Sequence, residues 1–273
     1  MHIRLTFRSP LCRVAPLVPL PEENQMPSLA TTYFDAAIDL LERLRDEEVD
    51  PIDEVGAIVG RALRTGGRLF AFGCSHSSLP VQDIVYRAGG LMLVNPIYGP
   101  GIAALDTRPT TLGTDIEKLP GYAKALLDNS PLREGDVLIV VSVSGRNAVP
   151  IEIAQLAAER GATVVAVTSH EYTDAVESRH PSGKKMKDFA HHVLDNKVQA
   201  GDAVLSLPQV PQRFCALSGV TSTALLHALV AAIITDLVDH GETPPVFLAA
   251  NVDGGAEWNA EHLAKNADRI NYL

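Results

Sequence analysis

The apolar positions of this chain follow two rhythms. From residue 28 they first recur at helical spacing: Ser28 serves as an N-cap, and Phe34, Ile38, Leu41 and Leu44 fall on one face. A second helical stretch starts at Pro51, a residue suited to a first turn. It carries Val55, Ile58, Val59 and Leu63 and stops at Gly66-Gly67. Together they predict an N-terminal helical hairpin. The rhythm then changes to short aliphatic runs alternating with helical segments. Strands are predicted at 68–72, 91–94, 137–143, 163–168 and 192–194, with helices at 81–85, 116–127 and 149–160. A nearly all-apolar helix at 218–240 is too hydrophobic to face water, so it lies in the core or forms a dimer seam. A last helix covers 256–267. The Pro/Gly-rich residues 95–113 predict a long functional loop.

Strands and helices alternating at βαβ spacing mean a parallel sheet with right-handed crossovers. The predicted fold class is therefore α/β, a five-stranded parallel sheet flanked by helices. Ligands of such sheets settle at the carboxyl ends of strands, near the reversal of strand order. That directs attention to the loops after Phe72, Val141, Thr168 and Leu194.

Composition sharpens this picture. Hydrophobic residues make up 46% of the 273 and aromatics only 5%, so the core is aliphatic, as buried parallel strands require. The net charge of −10 repels polyanions and argues against a nucleic-acid partner, while leaving a small phosphate free to bind local N–H groups. No apolar run reaches the roughly 20 residues of a membrane span. Cys12, Cys74 and Cys215 show neither metal-ligand nor disulfide spacing, which fits a reducing cytoplasm. His180, His191 and His192 lack a carboxylate or Cys at ligand spacing, so no metal is expected. Residues 1–27 read as a disordered or loosely packed extension, with Met26 as an alternative start, and 28–273 as a single domain.

Two loops carry candidate chemistry. Gly73-Cys74-Ser75-His76-Ser77-Ser78 follows a strand and opens a helix; it is neither a dinucleotide fingerprint nor a P-loop, and alone it is equally well a serine-rich cap. Ser142-Val143-Ser144-Gly145-Arg146-Asn147 sits at the next such junction. Ser142 and Ser144 alternate, Gly145 permits a sharp turn, and Asn147 stands near a helix N-terminus. Hydroxyls, an amide and exposed N–H groups make a phosphate cradle without a lysine.

These loops resemble the signatures of the SIS (sugar isomerase) family, Gly-x-Gly-x-Ser after the first strand and Ser-x-Ser-Gly-x-Thr/Asn after the third. Ser75 stands where the first signature has its middle glycine. The likeness is nearest to the subgroup labelled UPF0309, through Tyr86-Arg87-Ala88-Gly89-Gly90, Val94-Asn95-Pro96-Ile97, residues 178–185, Leu194-Asp195-Asn196 and residues 250–255. The resemblance implies a flavodoxin-like SIS sheet and a cofactor-free, homodimeric phosphosugar-binding protein. It makes Ser75, Ser77, Ser142, Ser144, Gly145 and Asn147 the phosphate-binding set, with Thr168 and Ser169 closing the pocket. Heptose isomerases and the related etherases place a glutamate ten residues beyond the loop serine. Here that position is Arg87, which cannot act as a base at ordinary pH.

An aldose–ketose isomerisation needs a base between C1 and C2. Asp83 lies one turn before Arg87, so the two form either a catalytic group or a surface ion pair. His76 projects from the first loop, and His227 sits among Leu225, Leu226, Leu229 and Val230, as a core histidine or as the last-helix histidine of heptose isomerases. Glu257 opens the final helix, where an acidic residue also complements the dipole. The basic run at 180–185 reads as a solvated loop or a lid. The expected activity is a phosphosugar isomerase, with an etherase or lyase on an amino-sugar phosphate, or a non-catalytic phosphosugar sensor, as alternatives.

Overall fold

The computed structural model describes residues 27–273, so all but the last residue of the expected 1–27 extension lies outside the described part. Five short runs, β1 (Leu69–Gly73), β2 (Val94–Pro96), β3 (Val137–Val141), β4 (Thr163–Thr168) and β5 (His192–Asp195), pair in parallel in the order β2-β1-β3-β4-β5. The sheet is buried on both faces because alternate residues feed two cores. Leu69, Ala71, Val137, Ile139, Val141, Val165 and Val167 point to one, and Phe70, Phe72, Leu138, Val140, Val164 and Ala166 to the other. The uninterrupted apolar runs in the sequence follow from that two-sided burial.

The first core is covered by α1 (Leu29–Arg64) and α7 (Ser218–Asp239). The expected N-terminal hairpin is instead one 36-residue helix that runs through Pro51. An interior proline costs about 3 kcal/mol. Here the buried stripe Ala37, Leu44, Glu48, Ile52, Val55, Val59 and Leu63 continues across it, so packing of both halves on common partners overrides the local break. Against the expectation that no apolar run is long enough, α7 has the length and apolarity of a membrane span, but Leu225, Leu226, Leu229, Ile233 and Leu237 are buried in the fold. At the end of β5, Lys197 is 8% exposed, adopts a left-handed φ of 63°, and reaches Glu48 (2.7 Å), Glu47 (3.0 Å) and Asp195 (3.3 Å). It ties α1 to the sheet.

The second core lies under α4 (Tyr122–Asp128) and α5 (Ala148–Glu159). The single helix expected at 116–127 is two, α3 (Thr111–Glu117) and α4, separated at Pro120 and Gly121, whose φ is 87°. The second strand is displaced: Leu91 forms an antiparallel bridge with Val246, and pairing with β1 starts only at Val94. Four short elements are not predicted by the sequence, α6 (His170–Asp174), a 3-10 turn (Met186–Phe189) and the antiparallel hairpin β6 (Ala203–Leu207) and β7 (Val210–Ala216). α2 (Ser78–Asp83) and α8 (Gly255–Lys265) complete the chain.

Candidate functional site

After β1 the chain crosses to β2 on one side, and after β3 to β4 on the other, so the reversal of strand order falls between β1 and β3. Gly73 pairs with Val141 at the carboxyl ends of these strands. The two candidate loops therefore leave the sheet side by side, about 4.8 Å apart.

The first loop is held by close backbone contacts. A Cβ on Gly73 would stand 2.2 Å from the Ser77 carbonyl oxygen, so only glycine allows the return. Ser75 has a φ of 50°, the left-handed conformation that the family signature fills with glycine, and its N–H donates to the Ile102 carbonyl at 2.6 Å. Ser78 is the structural serine. Its hydroxyl donates to the Ser75 carbonyl at 2.7 Å and accepts from the Ala104 N–H and Gln82 Nε2, each at 3.0 Å. The hydroxyls of Ser75 and Ser77, both half-buried, have no partner among the described residues. His76 is exposed.

In the second loop β3 ends at Val141, so Ser142 and Ser144 lie in the loop rather than in the strand end. Ser142 is 6% exposed, yet its hydroxyl, like that of Ser144, has no partner among the described residues. The hydroxyl oxygen is not itself enclosed, so it is open to solvent or to a ligand. Gly145 has a φ of 57° and accepts from the Met186 N–H at 2.9 Å. The main-chain N–H groups of Ser144, Gly145, Arg146 and Asn147 likewise have no acceptor among the described residues. They precede the 12-residue α5, whose dipole favours negative charge here.

Thr168 and Ser169 depart from their expected role. Both are fully buried with their hydroxyls engaged: Thr168 donates to the Val143 carbonyl (3.0 Å), and Ser169 donates to the Val198 carbonyl (2.5 Å) and caps Tyr172. They shape the loop rather than line a pocket. Asn147 is also engaged: its Nδ2 donates to Glu117 Oε1 at 2.9 Å, and its Oδ1 accepts from Arg179 NH1 at 3.3 Å.

Glu117 is the carboxylate that sequence reading missed. It ends α3, and besides holding Asn147 it acts on Cys74 in the other loop. Burial above all, and then the Glu117 charge, push the Cys74 thiol well above its ordinary range. One carboxylate thus bonds the second loop and bears electrostatically on the first. The only signal was indirect, the Pro/Gly-rich stretch that precedes α3.

Asp83 accepts from Arg87 at 2.7 Å and pairs with His227 Nε2 at 2.9 Å. All three are about 40% exposed, and Asp83 borders an open groove of about 500 Å³ with Leu79, Gln82, Gly219 and Thr223. The ion-pair reading of Asp83 and Arg87 thus gains His227 as a third member. Glu257 is exposed in the first turn of α8, a helix fixed by Trp258 and Asn259 to residues 246–248, and no described contact brings it to the loops. The basic run docks on the second loop, with the Arg179 N–H donating to the Arg146 carbonyl at 2.8 Å. Its His180 Nε2 lies 3.4 Å from Glu152 Oε1. Among the described residues no three His, Cys, Asp or Glu side chains group as a metal site.

The SIS-domain model matches residues 32–169, the span that contains both loops. A UPF0309 protein of Streptomyces coelicolor is 49% identical over 243 residues, covering 89% of this chain and 97% of that protein. The chain belongs to the SIS-domain family. A UPF0309 protein of Shouchella clausii is 36% identical over 246 residues, covering 90% of this chain and all of the relative. Among solved structures, a phosphoheptose isomerase from Neisseria gonorrhoeae superposes with a TM-score of 0.50 at 23% identity, covering 76% of this chain and 97% of that one, which shows a shared SIS fold.

Proposed function

We propose that this SIS-domain protein binds a sugar phosphate in the two serine loops and interconverts its aldose and ketose forms without a cofactor. One observation carries the reading: the hydroxyls of Ser75, Ser77, Ser142 and Ser144 and the N–H groups of residues 144–147, none with a partner among the described residues, stand at adjacent strand ends, and Glu117 bonds Asn147 of the second loop. Charge-assisted hydrogen bonds from such donors suit a phosphate dianion. They anchor the sugar so that its C1 and C2 can be brought to a base. In the isomerisation a base takes the proton from C2 of the open-chain aldose and returns it to C1, while the hydroxyl proton on O2 passes to O1. Glu117 is the carboxylate best placed for this, because it bonds Asn147 of the second loop while Arg87 stands at the position of the family's glutamate. The Asp83–His227 pair is the alternative base.

The same proposal takes residues 28–273 as one domain acting in the cytoplasm as a homodimer. Exposed Phe34 (65%) and Ile38 (52%), one turn apart on α1, support an association surface. Sedimentation showing only monomer at micromolar concentration refutes the dimer. The binding reading is tested by calorimetry on Ser142→Ala and Ser144→Ala with a panel of sugar phosphates. Losing one charge-assisted bond costs about 1.5–3 kcal/mol, a fall in affinity of roughly 10- to 100-fold, with the melting temperature of the free protein maintained. Unchanged affinity refutes the cradle.

A further inference from the structure

The cradle already offers four hydroxyls and four N–H groups, enough for the three oxygens of one phosphate. Yet the same place also gathers positive charge. Arg146 lies inside the second loop, and Arg179 is bonded to it through the main chain at 2.8 Å. The Arg179 guanidinium is fixed at the start of α5 by its 3.3 Å bond to Asn147 Oδ1. Arg146 Nε is buried without a hydrogen-bond partner among the described residues, as are the Nε atoms of Arg68 and Arg269, but those two arginines bond through their terminal nitrogens.

Among the described residues neither arginine has a carboxylate within 4 Å, although the chain carries a net charge of −10. The nearby carboxylates are otherwise engaged. Glu117 bonds the opposite end of the Asn147 amide, and Glu152 takes His180 and the Gly121 N–H. A guanidinium whose Nε is buried without an acceptor is unfavourable unless a ligand supplies one, and the exposed Arg179 at the same turn adds a second positive charge. A guanidinium offers a planar fork that fits two oxygens of a carboxylate or phosphate.

We propose that Arg146 and Arg179 form a second anion-binding position beside the phosphate cradle, so that the ligand is a sugar phosphate carrying a second acidic group, a carboxylate or another phosphate. This rests on the phosphosugar reading and adds a substrate class to it. The test compares glucose 6-phosphate with 6-phosphogluconate and glucose 1,6-bisphosphate by calorimetry. One further charged pairing is worth roughly tenfold or more, so at least one doubly acidic probe binds the unmodified protein tighter by that factor. Arg146→Gln and Arg179→Gln each bring that probe down toward glucose 6-phosphate, and Arg179→Lys restores part of the difference. The tighter doubly acidic probe identifies whether the second group is a carboxylate or a phosphate.

Equal affinities in the unmodified protein overturn the inference without using any variant. Variants that weaken every probe by the same factor also overturn it, because the arginines then hold the one phosphate. If none of the probes binds at all, the phosphosugar reading itself fails, which is a distinguishable result.

Discussion

Gly73→Ala isolates the contact that brings the first loop back over its own strand. The added Cβ would lie 2.2 Å from the Ser77 carbonyl oxygen, 2.6 Å from its carbonyl carbon and 3.0 Å from the Ser78 nitrogen. These are backbone atoms and cannot swing aside as a side chain can, so the loop must retreat by about 1 Å to reach ordinary contact. Gly73 does not have a left-handed φ, so alanine meets no conformational penalty of its own and the whole effect is steric. Overpacking of this kind costs about 1–3 kcal/mol, a fall of roughly 2–10 °C in Tm for a domain of this size. The functional loss is larger than that figure suggests. Retreat carries the Ser75 and Ser77 hydroxyls away from the second loop, and losing two charge-assisted bonds costs about 3 kcal/mol or more, on the order of 100-fold in affinity. Differential scanning fluorimetry gives the first number and calorimetry with the best-binding sugar phosphate the second. Gly219→Ala, whose Cβ would meet nothing within 4 Å, is the control for Tm and should leave it unchanged or raise it. If Gly73→Ala binds with undiminished affinity, the first loop is not part of the cradle.

Two further outcomes separate the remaining roles. Glu117→Gln should keep affinity within a few-fold and reduce turnover by about 100-fold or more, while Asp83→Asn leaves most of the rate; the reverse pattern assigns the base to the Asp83–His227 pair. Lys197→Met should destabilise the fold by about 3–5 kcal/mol in urea, because it leaves buried Glu48 without its cation. Burial pulls the Lys197 pKa down, but the hydrogen bonds to Glu48 and Glu47 outweigh it and hold the group above its ordinary value. Because the folded pKa is the higher one, this contribution is complete at neutral pH. It fades only above about pH 10, where the two proteins should converge. An unchanged urea midpoint at pH 7 refutes the role given to the cluster.

The sheet was legible in the sequence because burial on both faces leaves a continuous run such as Val137-Leu138-Ile139-Val140-Val141, and little else produces one. The helices flanking it were legible by the same logic wherever their apolar stripe was local. Errors arose where tertiary contact decides. Pro51 looked like a start, since the sequence does not reveal that residues 37–48 and 52–63 bury the same face of one helix. β6 and β7 were invisible for the opposite reason. Their residues are largely exposed, so no alternation marks them.

The serine loops show where reading by residue type stops. Ser75, Ser77, Ser78, Ser142, Ser144, Thr168 and Ser169 offer the same hydroxyl chemistry, and the sequence motif supports a binding role for most of them. The fold divides them by geometry. Ser78, Thr168 and Ser169 satisfy carbonyls that the turns leave open, at Ser75, Val143 and Val198. In doing so they fix the turns so that the remaining four hydroxyls project with no acceptor among the described residues. Removing a bonded hydroxyl should therefore damage binding by moving the loop, and lower stability with it. Removing a free one should damage binding alone. The distinction depends on which carbonyls the turns expose, and that is settled only when β1, β3 and β4 stand in register. Glu117 obeys the same rule: 43 residues of chain lie between it and Gly73, and only the return of α3 toward the second loop brings it to Asn147.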